Sequence, residues 1–147
     1  MSFRFSLDAV LRLRQGLEHQ QEVLLREANH HVTSLERQAE EVGAVLLADT
    51  KRERQELAAG MRAAELHFDL LCRSTLFERQ RALEKHVLDA RAERDVRAAS
   101  FRQARQQREI IETLRRRHWE FYHQLEVRQQ QREMDDLFLL LHNPARR

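Results

Sequence analysis

Few side chains in this sequence have the company that chemistry requires. His30 and His31 are adjacent; on a helix they point about 100° apart and cannot hold one metal together. His118 and His123 are five residues apart, whereas a shared helical face needs three or four. Cys72, Ser74 and Thr75 have no glycine-rich turn around them, and no G-x-x-x-x-G-K-[ST] segment is present to cradle phosphates. A catalytic carboxylate pair needs a cleft that raises one pKa. These patterns predict no metal, no cofactor, no small-molecule ligand and no catalysis. Arg115, Arg116 and Arg117 beside Trp119, Phe121 and Tyr122 are residue types that could contact phosphates and stack on bases. On a helix, however, consecutive arginines fan around the axis, and the aromatics are placed to cover the mouth of a hairpin, with Phe3 and Phe5 as partners for Trp119 and Tyr122.

The elements that would carry these residues are helices. Pro144 is the only proline, and Gly16, Gly43 and Gly60 are the only glycines. Ala, Glu, Lys, Leu and Arg fill 81 of 147 positions, the composition of long helices or coiled coils. A seam with steps of three and four residues runs through Phe3, Leu7, Val10, Arg14, Leu17, Gln21, Leu24, Ala28, His31, Leu35, Gln38, Val42 and Val45. Ser6 stands where an N-cap is expected. A second seam runs through Leu76, Gln80, Leu83, Val87, Ala90, Arg94, Arg97, Phe101, Ala104, Arg108, Ile111, Arg115, His118, Tyr122 and Leu125. Such periodicity argues against disorder despite 34% charged residues.

Gly60, flanked by helix formers, is the expected reversal because glycine takes the left-handed conformation that ends a helix. A competing turn lies at Arg73-Ser74-Thr75, where Thr75 and Glu78 have capping-box spacing. The fold expected is all-α: a long antiparallel two-helix coiled coil, one domain over 1–147, with helix 1 at about 5–58, a turn near 59–62 and helix 2 at about 63–142. Leu76 would then face Val45, Ala104 would meet Leu17, and Ile111 would meet Val10. The second helix outlasts the first, so the stretch after His118 has no helix in this chain to cover it. Leu137 to Leu141 lies on that overhang behind Arg128, Arg132, Glu133, Asp135 and Asp136, which points to a partner that buries it.

Charge and cysteine content bound the setting. Lys plus Arg (26) nearly balances Asp plus Glu (24), which does not suggest nucleic acid, although 91–117 holds nine Arg against four acids. Cys72 is alone, as fits a reducing compartment. The start, Met1-Ser2-Phe3-Arg4-Phe5, lacks the features of a signal peptide, and the longest apolar run is far short of the roughly 20 residues that span a bilayer. A cytoplasmic protein is expected.

The opening Phe3-Arg4-Phe5-x-Leu7-x-x-Val10-Leu11-x-Leu13-Arg14 resembles the start of the flagellar export proteins called FliJ. Arg132-Glu133-Met134-Asp135-Asp136 is similar to that family's C-terminal signature, with Asp136 where Glu is common, and Ala59 to Leu66 is similar to its mid-chain turn. The resemblance implies a non-enzymatic, stalk-like hairpin that inserts in the ring of the flagellar export ATPase hexamer, promotes its turnover and couples it to the membrane export gate. It also implies a chaperone role with export escort proteins and a peripheral place at the inner membrane of the flagellar base. Under that reading Phe3, Phe5, Arg128, Arg132, Glu133, Asp135, Asp136, Leu137 and Phe138 contact the ATPase, while Phe68 and Leu71 near the turn face the gate. Three alternatives remain open from sequence: the equivalent stalk of a virulence type III secretion system, a nucleic-acid-binding hairpin using the 91–117 arginines, and a homo-oligomer formed through the second helix.

Overall fold

The computed structural model describes residues 3–142, in which two helices are present, α1 (Asp8–Ala59) and α2 (Ala63–His142). The described residues contain no strand. The two helices pack antiparallel as a helical hairpin, and their contacts fall into two units. One comprises Gln20–Arg102; the other joins the residues up to His19 with those from Gln103 onward.

The Gln20–Arg102 unit contains the reversal. Gly60 has φ 95°, a conformation that costs an L side chain roughly 1–2 kcal/mol, and its N–H donates to the Leu57 carbonyl at 3.3 Å. Next, the Arg62 N–H donates to Glu65 Oε2 at 3.4 Å, and the Leu66 N–H to the Arg62 carbonyl at 3.1 Å. Glu65 thus reaches back over the first turn of α2 as the second half of a capping box does. The competing turn is not used. Ser74 and Thr75 sit inside α2 and donate their hydroxyls to the carbonyls of Leu71 and Cys72, each at 2.7 Å.

The core of this unit is a stripe, because two helices can bury only one face each. Val42, Leu46 and Leu83 are buried together, with Leu35, Ala39 and Leu76 packed against them. Val32, Val87 and Ala90 are buried further along. Each large aliphatic removed from water contributes about 1.5–3 kcal/mol, and ion pairs fill the gaps between them. Arg73 meets Glu53, and Arg91 Nη2 lies 2.5 Å from Glu36 Oε1.

The expected α2 seam is the observed one from Leu76 to Ile111, each residue buried or half-buried. Further on, Arg115, His118 and Leu125 are exposed, and Tyr122 is half-buried. The α1 seam requires a correction. Arg14, Gln21, Ala28, Leu35 and Val42 face inward, but the alternate positions are Leu11, Glu18, Leu25, Val32, Ala39 and Leu46. They replace Val10, Leu17, Leu24, His31, Gln38 and Val45, one residue earlier in each heptad. Val10, Leu17, His31, Gln38 and Val45 are exposed instead. The facing pairs shift accordingly. Leu76 packs on the Val42 cluster rather than on Val45, and Glu18 takes the inward place expected for Leu17.

Candidate functional site

The unit formed by residues up to His19 and from Gln103 onward holds most of the expected contact residues. α1 begins one residue after Leu7: the Leu11 N–H donates to the Leu7 carbonyl at 2.9 Å and the Asp8 N–H to the Phe5 carbonyl at 3.2 Å. Leu7 therefore occupies the cap position, and the Ser6 side chain does not cap the helix.

That backbone turn drives Phe5 inward, where it is buried with Leu11. Its ring meets His118 edge-on at 5.7 Å between centroids. Phe3 packs on Tyr122 at 5.6 Å, as the aromatic content suggested. Trp119 does not join them; it stacks on His123 at 5.3 Å and 8°. It also lines an open groove of about 770 Å³ with Phe3, Glu112, Arg115 and Arg116. Trp119 and His123 are four apart on α2, the spacing that stacks neighbours along a helix.

Below the rings the helices are joined by polar contacts. Arg14 Nη1 donates to Gln107 Oε1 at 2.5 Å. Arg108 lies between Glu18 and Glu112, with Nε 2.5 Å from Glu18 Oε2 though not aligned as a hydrogen bond. Asp8 reaches Arg12 at 3.5 Å and Arg115 at 3.9 Å. Arg105 bonds Glu109 at 2.8 Å, and this bond with the carboxylate's charge holds the guanidinium above its ordinary pKa.

These pairs bear on the arginine-rich stretch. Of the nine arginines in 91–117, seven have a carboxylate within 4 Å, Arg102 is bonded to the Ala98 carbonyl, and Arg117 has no ion pair among the described residues. Positive charge there is largely neutralised by the protein itself, which leaves little for phosphates.

Beyond Tyr122, α2 runs on to His142, and from 123 to 141 only Glu126 is less than exposed. Arg128, Arg132, Asp135 and Asp136 form no ion pair among the described residues, and Glu133 accepts a bond from Gln129 at 3.2 Å. Leu137 and Phe138 are exposed, and exposure reaches 79% at Leu141. The structure does not bring this tail to Phe3 and Phe5. Phe3 sits at the level of Tyr122, ten residues or about 15 Å before Arg132 along the helix axis. The expected contact residues thus form an aromatic cluster and a separate charged and apolar tail.

Phe68 and Leu71 are both exposed near the start of α2, three residues apart on one side of the helix. Another exposed group was expected from sequence to be interior, to cover the hairpin mouth (Phe121), or was passed over. Val10, Leu13 and Leu17 on α1, and Ile110, Leu114 and Phe121 on α2, are all exposed. Their spacing of three, four or seven residues was the signal that could have found them.

Among the described residues no helix is long and apolar enough to cross a membrane, and no group of three or more His, Cys, Asp or Glu could hold a metal ion. A family model described as Flagellar FliJ protein matches residues 3–147. No curated protein and no solved structure matches the chain.

Proposed function

The chain belongs to the FliJ family, whose members are components of the flagellar export apparatus, and on that premise we propose that it is the stalk of the export ATPase. In this reading residues 1–147 act as one non-catalytic coiled-coil domain, peripherally held at the inner membrane of the flagellar base. The end formed by the N-terminus and the tail of α2 inserts in the ATPase hexamer and raises its turnover. The turn end couples to the membrane export gate, and the flanks receive export escort proteins.

The observation that carries the reading is the run of α2 past Tyr122, where nineteen residues (123–141) hold one that is less than exposed. A bare helical end with Arg128, Arg132, Glu133, Asp135 and Asp136 offers polar contacts that a ring interior can exchange as it moves. Leu137 and Phe138 supply an apolar anchor. Phe3 adds contact area at the base of the tail, while Phe5, being buried, braces that end from within. At the other end the exposed pair Phe68 and Leu71 suits a shallow apolar contact with the gate. The paired state of the 91–117 arginines favours protein partners over a polyanion, and the family match favours the flagellar over the virulence apparatus.

Steady-state ATP hydrolysis by the cognate export ATPase, with and without this protein, tests the proposal. Stimulation that is lost on truncation after Tyr122, while the truncated protein keeps its helicity per residue, is the expected result. Normal stimulation by the truncated protein would place the contact elsewhere.

A further inference from the structure

Near its N-terminus α1 carries two faces that compete for α2. The face in use holds Leu11, Arg14 and Glu18. The face beside it holds Val10, Arg14 and Leu17. Leu11 and Val10 are alike in kind, but Glu18 and Leu17 are not: the face in use turns a glutamate inward and leaves a leucine outside. Val10 and Leu17 also lie close to the interface, at 36% and 38% exposed against 61% for Leu13.

The inward glutamate is poorly served. Arg108 Nε is buried and 2.5 Å from Glu18 Oε2, yet it is not aligned as a hydrogen bond. Arg108 meanwhile has Glu109 and Glu112 on its own helix. If Glu18 left, Arg108 would still be paired and Glu18 would gain water, so breaking this contact strands no charge.

Helix geometry aligns the second face with the rest of α1. The face in use repeats every seven residues through Val32, Leu25, Glu18 and Leu11, which requires the helix to be wound to 3.5 residues per turn. Five turns of an undistorted α-helix take about eighteen residues. Eighteen residues before Ala28, Val32 and Leu35 stand Val10, Arg14 and Leu17. An α1 relaxed to its natural pitch therefore carries the seam of its middle into the second face at its start. The stretch between shows neither face cleanly: residues 21–25 are five in succession that are half-buried, whereas one helical face takes only every third or fourth.

We propose that residues 7–19 of α1 have a second, less populated phase against α2. It is reached when α1 relaxes towards its natural pitch and turns there by about 50°, half the step between adjacent residues. Val10 and Leu17 then face α2, Leu11 and Glu18 face water, and Arg14 stays at the seam. The buried Leu11 and the Glu18–Arg108 pair hold the phase observed. Further along, the second phase would exchange the buried Val32 for His31 and the half-buried Ala39 for Gln38. That exchange is unfavourable, so the middle of α1 keeps its phase and the turn is confined to the start.

Under the proposed function this end meets the ATPase, and the two phases would offer it different faces of α1. That consequence rests on the proposed function; the second phase itself does not.

The phases are read from single cysteines in a Cys72→Ser background, by the rate at which N-ethylmaleimide modifies them. Leu11→Cys is protected in the phase observed and reacts when α1 turns. Adding Leu17→Gln removes the apolar residue that the second phase buries, and it should slow modification of Leu11→Cys about tenfold. Fraying of the helix end exposes residue 17 as well, so an unchanged rate would mean that the end frays rather than turns, and would overturn the proposal. Glu18→Lys sets two cations together in the phase observed and should speed modification of Leu11→Cys at least about tenfold. In the same Glu18→Lys chain, Leu17→Cys should become at least about tenfold less reactive than it is with Glu18 in place. Circular dichroism verifies that the variants stay helical. Leu11→Cys remaining protected in the Glu18→Lys chain, or Leu17→Cys remaining as reactive as before, would equally overturn the proposal.

Discussion

Glu18 and Arg108 meet across the two helices with Oε2 and Nε 2.5 Å apart, their side chains only 17% and 21% exposed. The position on α1 is an inward one, where a coiled coil would ordinarily place an aliphatic residue. Arg108 answers with a second carboxylate, Glu112, one turn further along α2. A charge this far from water is stabilising only while its partner is present.

Arg108→Ala should therefore lower stability by about 1–3 kcal/mol, because it strands Glu18 on the interhelical face. Replacing both residues by leucine should restore or exceed the original stability. Thermal melts of the two variants and the parent decide this. An Arg108→Ala melt unchanged from the parent would mean that the pair is solvated and adds nothing.

The glycines separate a backbone requirement from a packing one. At Gly60 no atom lies within 4 Å of an added Cβ, yet φ is 95°, so Gly60→Ala should destabilise by about 1 kcal/mol through the backbone alone. Gly16 also has open space around it but lies inside α1. Gly16→Ala should stabilise by about 0.5–1 kcal/mol. Denaturant midpoints moving in opposite directions for the two variants are expected.

The phase of the α1 seam makes a further prediction. Leu11 is 3% exposed and Val10 beside it 36%, and His31 is exposed where Val32 is buried. Leu11→Ala should cost about 2–3 kcal/mol and Val10→Ala well under 1 kcal/mol in the monomer. The reverse order in urea unfolding at low protein concentration would restore the other phase.

That phase shows what was legible in the sequence. The hairpin and the glycine turn follow from composition and from one residue able to take positive φ. The α2 seam was legible because Leu83, Ala90, Phe101 and Ala104 stand between polar neighbours or beside small ones and fix the phase, even though Leu76-Phe77, Val87-Leu88 and Ile110-Ile111 are doublets. In α1 the doublets Val10-Leu11, Leu24-Leu25 and Val45-Leu46 fit either phase. His31-Val32 and Gln38-Ala39 favour the phase observed, whereas Leu17-Glu18 favours the other. A polar inward residue such as Glu18 hides the phase further, since its fitness for the seam depends on Arg108, ninety residues away in sequence. The aromatic end was legible in content but not in pairing. Phe5 meets His118 because the turn before α1 aims it inward, a local backbone effect that residue spacing does not encode.

As a stalk, this protein would serve the flagellar export ATPase without being an enzyme itself. Steady-state ATP hydrolysis by that ATPase, at fixed enzyme concentration and rising amounts of this protein, measures it most directly. Turnover should rise and saturate, with no hydrolysis by this protein alone. An ATPase rate that stays flat at saturating protein would contradict the stalk role.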